Sequence, residues 1–418
     1  MSLRWKPFYG WWVLLSAATV LMAGFAMAAY ALPVFYPELV NAFRWPRASV
    51  ALGGSLKTLL VGLTAPFNGW IIDRKGAKII LLLGMVTLGV SVALLSGIDS
   101  LWQFYVLCFF MGVGGSWVHH LPAQLLVANW FVKRRGLAMG LLTAFSGFGD
   151  LLLPVLSALL IRNLGWRDAF LTLPIILIVP FLAVTFVVRN QPQDMGLYPD
   201  GALAPAAADP HVPGHRKHTS TGPGGGLSAS KAATFWMLAG MLFLSAWAQF
   251  SLWQHFPLFL RDEGFSLLVA ASLFGFLFLG ASIFGRFLGG YWCDKISADY
   301  AFCISLAFMG SAVALLFATH SSAIIYLSLV LFGLGYGGSI TIRPLLVFEH
   351  FGATGVGKLY GVATAMFTSG AFVGPVLAGH IHDRTGSYQL AFLLALMLIG
   401  ISMVLVMLLK RANPRKAT

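Results

Sequence analysis

The chain has 418 residues, of which 58% are hydrophobic and only 10% charged, with a mean hydropathy of +0.83. A soluble protein of this length needs far more polar surface to cover its core, so these proportions exclude an ordinary soluble domain and imply lipid as the solvent. The net charge of +13 would suit nucleic acid, but its placement along the chain gives it another meaning, and no nucleic-acid partner is expected.

A spanning helix needs about 20 mostly apolar residues. The first apolar run, about 9–37, follows Arg4 and Lys6; it is too long for a signal-peptide core and reads as a retained helix. Further runs lie at about 48–72, 79–97, 101–130, 137–161 and 167–188. Six more follow at about 233–260, 266–293, 299–318, 322–348, 358–382 and 387–410. Between the two sets, residues 189–231 hold a Pro/Ala/Gly run, three histidines (His211, His215, His218) and Gly222–Gly226. That composition cannot build a core and reads as a flexible linker; a metal role for its histidines is the lesser reading. The division is therefore 1–188 for a first six-helix bundle, 189–231 for a linker, 232–410 for a second bundle and 411–418 for a tail.

With the N-terminus placed inside, 18 of the 27 Lys and Arg residues fall in inside segments, six in outside segments and three within spans. A threefold bias in one phase is the positive-inside pattern and predicts cytoplasmic termini. The halves also repeat. Gly69-x-x-x-Asp73 returns as Gly290-x-x-x-Asp294 and Gly165 as Gly386, both at an offset of 221. Gly149 returns as Gly374 at 225. The expected fold is an all-α membrane protein of twelve transmembrane helices in two six-helix pseudo-repeats, the layout that alternating access requires. The three cysteines (Cys108, Cys293, Cys303) have no paired spacing, and the chain holds no nucleophile or metal constellation. No cofactor, no metal and no enzymatic activity are therefore expected.

The loop Gly69-Trp-Ile-Ile-Asp73-Arg74-Lys75-Gly76 resembles the signature loop of the major facilitator superfamily. A finer resemblance, to the monocarboxylate porters and oxalate/formate exchangers, rests on several segments. They are Phe8-Tyr9-Gly10-Trp11-Trp12, Trp130-Phe131-x-x-Arg134-Arg135-Gly136, Gly165-Trp166-Arg167, His255-Phe-Pro257, Gly285-Arg286 and Gly374-Pro375. The resemblance implies a transporter of small organic anions. It also marks departures: Phe367 stands where the exchangers carry a lysine in the eleventh helix. Val34 and Ser282 stand where animal monocarboxylate porters carry a lysine and an aspartate.

Charge inside a span is costly and marks a site or a pairing. Arg286, in the eighth helix, is the expected carboxylate anchor, because a guanidinium offers two parallel hydrogen bonds and stays charged; a structural pair with Asp150 or Asp294 is the alternative. Asp150 is the expected proton carrier, or else a fixed partner of Arg286. His119, preferred over His120 as the cavity-facing member of the pair, is a candidate for both anion and proton. Tyr336 in Gly335-Tyr336-Gly337-Gly338, His255 toward the outer end of the seventh helix, and Tyr30 and Trp117 complete the expected substrate contacts. Asp73, Arg135, Asp294 and Arg343 are expected to act in gating, Arg343 through Glu349.

The expected function is proton-coupled symport of a small monocarboxylate such as lactate or pyruvate. The alternatives are an organic-anion exchanger, a porter of another organic acid, or a membrane sensor. The partners are then a small organic anion, a proton and the bilayer, with a monomeric protein in the cell membrane; the compact loops suggest a bacterial inner membrane.

Overall fold

The computed structural model describes residues 8–131, 134–201, 229–318, 321–351 and 356–412. Twelve long helices form among them. They are α1 (Gly10–Phe43), α2 (Arg47–Lys75), α3 (Ala77–Gly97), α4 (Leu101–Trp130), α5 (Arg135–Leu164) and α6 (Trp166–Phe186). After the linker come α7 (Ala229–Asp262), α8 (Leu267–Cys293), α9 (Ala298–Ala318), α10 (Ser322–Phe351), α11 (Val356–Thr385) and α12 (Gln389–Ala412).

Eleven helices among the described residues are long and apolar enough to cross a membrane. The twelfth, α2, spans about 44 Å with its 29 residues, and it carries Ser55, Lys57 and Asn68, all buried. It packs on α4 and α11. The lipid-facing side of the bundle shows the opposite composition, with Leu83, Val90, Trp102, Phe109 and Phe186 exposed.

Two seams join the helices before the linker to those after it: α2 lies along α11, and α5 lies along α8. At the second seam Gly275 of α8 meets the carbonyl of Leu151, leaving no room for a Cβ. The start of α1 and the end of α12 lie on one side of the bundle, called here the terminal side; the other is the far side. On the terminal side the first linker residues are docked, not loose. Asn190 Oδ1 accepts from the Lys78 amide (3.0 Å), and its carbonyl accepts from Asn129 (3.1 Å). Trp130 Nε1 donates to the Arg189 carbonyl at 2.9 Å. Residues 202–228 of the expected linker, and 413–418 of the tail, lie outside the described residues.

The helices are not regular at mid-height. α1 widens into π-turns over Leu21–Phe25 and Met27–Ala31, and α8 does so over Leu273–Leu279. α4, expected to be one continuous helix, is broken: Val118 (φ −96, ψ 19) and His119 (φ −81, ψ 173) leave the helical region before a second segment starts at His120. Pro122 is the cause, since its ring would clash with the carbonyl of Val118 four residues earlier.

Candidate functional site

Irregular backbone at membrane depth survives only where it is buried in protein or lines a cavity. Here the widened turns of α1 and α8 and the break in α4 come near one another, and Asp150, Arg286, Tyr30, Tyr336 and His119 of the expected site residues lie around them. Asp150 of α5 is fully buried. Its Oδ2 accepts from Nη2 of Arg286 on α8 at 2.9 Å, a pair that crosses the α5–α8 seam. The second carboxylate oxygen and Arg286 Nε have no hydrogen-bond partner among the described residues. Arg286 is paired, yet its side chain keeps 18% of its surface exposed.

Tyr30 from α1 and Tyr336 from α10 are buried beside each other, within interaction range of one another and of both members of the pair. Tyr30 is fixed edge-on against Trp253 (5.6 Å), and Tyr336 packs at a tilt against Phe278 (5.4 Å). The glycines around Tyr336 stand at close helix contacts: a Cβ at Gly335 would strike the Ser305 carbonyl on α9, and one at Gly337 the Ser282 carbonyl on α8. They let α10 approach its neighbours, and the phenol projects between.

The α4 break changes the reading of the two histidines. A continuous helix would turn them about 100° apart, favouring His119 alone. In the broken helix both rings flank Phe25, His119 at 5.1 Å and His120 at 4.6 Å. It is His120 that falls within electrostatic range of Arg286. Pro122, three residues after His119, is the signal that could have flagged this. Trp117 packs its Cβ against Gly84 of α3 and belongs to the α3–α4 contact, not to the Arg286 group.

Arg343 reaches toward the tyrosine pair. Its Nε donates to the Ser339 carbonyl (3.1 Å), its guanidinium lies 3.9 Å from the ring centre of Phe367, and it is within electrostatic range of Tyr336. Glu349, its expected partner, caps α9 by accepting from the Ala298 amide at 2.9 Å.

Residues 14–297 and 271–418 match the Major Facilitator Superfamily. The chain belongs to that superfamily. The fold agrees: a bacterial homologue of the human lysosomal transporter Spinster, in an inward-facing and occupied conformation, superposes with a TM-score of 0.74 at 14% identity, covering 98% of both chains. In sequence, this superfamily member is 27% identical to a probable sulfoacetate transporter of Cupriavidus necator over 86% of this chain and 81% of that one. It is 21% identical to monocarboxylate transporter 2 of Rattus norvegicus, over 93% and 80%. Its resemblance to the monocarboxylate branch thus extends over nearly the whole chain.

His255 of this major facilitator protein stands apart from the Arg286 group, in a far-side network. Nε2 meets the Pro375 carbonyl at 2.8 Å and Nδ1 meets Tyr388 Oη at 2.9 Å. A carbonyl only accepts, so Nε2 carries the proton; Arg47 Nη1 donates to Tyr388 Oη at 3.0 Å, so the phenol donates onward to Nδ1. Burial pushes the Tyr388 phenol above its usual range against the pull of Arg47, which keeps that proton in place. Arg47 also holds Asp262 through two bonds of 2.6 and 2.7 Å. Arg47 itself was counted in the sequence only as an outside charge. On the terminal side, the side chains of Asp73, Arg135 and Asp294 lie outside the described residues. Among the described residues no group of three or more His, Cys, Asp or Glu is placed to hold a metal ion.

Proposed function

We propose that this protein is a secondary active transporter that carries a small monocarboxylate, of the lactate or pyruvate kind, together with a proton by alternating access. The observation that carries the reading is the Arg286–Asp150 pair across the α5–α8 seam. One guanidinium in a dry site cannot serve two ionised carboxylates without leaving excess negative charge there. A substrate carboxylate that takes Arg286 therefore displaces Asp150, which is neutralised by binding a proton. Loaded with anion and proton, or empty with the internal pair, the site has the same net charge, and both forms can cross between the two sides. Tyr30 and Tyr336 supply neutral donors beside the anchor, and His120, with His119 behind it, offers a further polar wall.

Alternating access on this reading is a rocking of two six-helix halves. The packing supports it: α2 on α4, α3 on α4 and α1 on α5 have counterparts six helices on in α8 on α10, α9 on α10 and α7 on α11. Gly165 and Gly386, matched in the sequence, both take positive φ in the turns after α5 and α11. The charge bias places the terminal side in the cytoplasm, in a bacterial inner membrane, with the protein acting as a monomer and Asp73, Arg135 and Asp294 at the cytoplasmic gate.

A second reading, an exchanger or a porter of a doubly charged organic acid, is favoured by one observation. Arg343 supplies a cation beside Phe367, where the sequence offered none, and a probable sulfoacetate transporter is among the relatives. Purified protein in liposomes separates these readings with a panel of labelled carboxylates and a sulfonated carboxylate, with and without an acid-outside gradient. Uptake of a monocarboxylate driven by the gradient supports symport. Strict dependence on an internal anion makes the protein an exchanger, and an absence of flux for every anion defeats both.

A further inference from the structure

Lys57 is a buried cation that neither transport scheme uses. It lies on α2 with 5% of its surface exposed, and no ion pair to it is found among the described residues. Its ammonium donates instead to two main-chain carbonyls of α1, those of Ala28 and, at 3.3 Å, Ala29. Burying an ammonium without a counter-ion is costly, so the arrangement needs a reason.

The reason lies in Pro33. In an α-turn the N–H of residue 33 would bond the carbonyl of residue 29, and in a π-turn that of residue 28. Proline has no N–H to give either of them. The π-turn Met27–Ala31 ends at this point and α-helical geometry resumes at Leu32. The two carbonyls that an N–H at position 33 would serve, one in each geometry, are the two that Lys57 meets. Tyr30, which faces Tyr336 and the Arg286–Asp150 pair, is the next residue on the same widened turn.

We propose that Lys57 is a positioning residue of the transport site: from α2 it supplies the donor that Pro33 lacks, and so holds the turn of α1 that presents Tyr30. The idea rests on the transport reading for what the site does, but its test is separable. Lys57→Met should raise KM for the anion selected by the wild-type panel by about tenfold or more, with a smaller change in kcat, as expected for losing a charged donor. Adding Pro33→Ala restores a backbone N–H in place and should bring KM back to near the wild-type value without any charge at position 57. Amide exchange over residues 27–36 should quicken in Lys57→Met and slow again in the double variant.

A raised KM that Pro33→Ala does not repair overturns the proposal, because Lys57 would then act on the solute itself. An unchanged KM overturns it as well. If Lys57→Met alone yields no folded protein, recovery of folded protein with ordinary KM in the double variant supports the proposal, and no recovery defeats it. Should Arg286→Gln leave transport intact, the carboxylate reading fails, while the Pro33 rescue still decides the role of Lys57.

Discussion

Asp383 and Arg47 are joined through the main chain. The carboxylate of Asp383 on α11 accepts the amide of Arg47 at 2.9 Å on one oxygen and that of Ala48 at 2.9 Å on the other. These are orphan donors of the first turn of α2, where the residue before the helix, Pro46, has no side chain able to cap it. A helix before the linker is thus capped by a residue after it, and the Arg47 side chain adds the bond to Asp262 of α7. Any opening of the far side along the α2–α11 seam must break all of these together.

Asp383→Ala should therefore favour the far-side-open state. A lost helix cap is worth about 1–2 kcal/mol, a shift in population of roughly fivefold to thirtyfold. The check is a cysteine at Gln254, which is buried where α7 meets Tyr36 of α1. Its labelling by a membrane-impermeant thiol reagent from the far side should quicken in Asp383→Ala. Equal labelling rates with and without the carboxylate would show that this contact does not hold the far side shut.

The Arg286–Asp150 pair makes single and double substitutions diverge. Arg286→Gln leaves a fully buried carboxylate unpaired, at a cost of about 3–5 kcal/mol, so a poor yield of folded protein is expected. Arg286→Gln with Asp150→Asn removes both charges and should fold near normally, yet lose about tenfold to a hundredfold in anion affinity. Asp150→Asn alone keeps the anchor; it should still exchange anion for anion but no longer accumulate it on a pH gradient. Gradient-driven accumulation by Asp150→Asn would move the proton to another residue.

The sequence carried the helices because an apolar run of spanning length has few other fates in a chain this short of charge. It also named Arg286 and Asp150, since charge at that depth is conspicuous, and offered their pairing as an alternative; that Arg286 takes Asp150, 136 positions away, depends on how α5 crosses α8. The α4 break was in principle legible, as Pro122 forbids the helical position of the Val118 carbonyl. It was hidden by the apolar continuity of the segment, which reports burial and says nothing about backbone geometry. Arg47 read as one more loop charge, because its partners at Asp262, Asp383 and Tyr388 lie more than 200 residues away and no local pattern announces them. Lys57 was visible as an intramembrane charge, whereas its link to Pro33 emerges only when α2 is laid on α1.

Close packing beside the site gives a stability prediction with an internal control. Gly149 precedes Asp150 and lies against the Met22 carbonyl in the widened part of α1, where a Cβ has no room. Gly149→Ala must push α5 and α1 apart, and overpacking of this kind costs about 1–3 kcal/mol. Gly140, about two and a half turns earlier on α5, has no atom of the described residues within 4 Å of where a Cβ would stand, so Gly140→Ala should be neutral or stabilising through helix propensity. Melting temperatures in detergent test the contrast. Equal melting of the two variants would mean that α1 and α5 are free to separate at this level.

Substitution of Arg343 tests how many charges the solute carries. Its guanidinium lies 3.9 Å from the centre of the Phe367 ring. An anion anchored at Arg286 by one carboxylate meets Tyr336 next, and Tyr336 is within range of Arg343. If a second acidic group is read there, Arg343→Gln should weaken a sulfonated two-carbon acid by about tenfold to a hundredfold, the worth of a charge-assisted hydrogen bond. A monocarboxylate of equal length would lose little. Competition of each acid against the best labelled substrate measures both in one assay. Selective loss of the doubly charged acid would favour the second reading of the function. Equal losses would assign Arg343 to holding α10 against α11, and no loss of either would leave Arg286 as the sole anion anchor, as monocarboxylate symport requires.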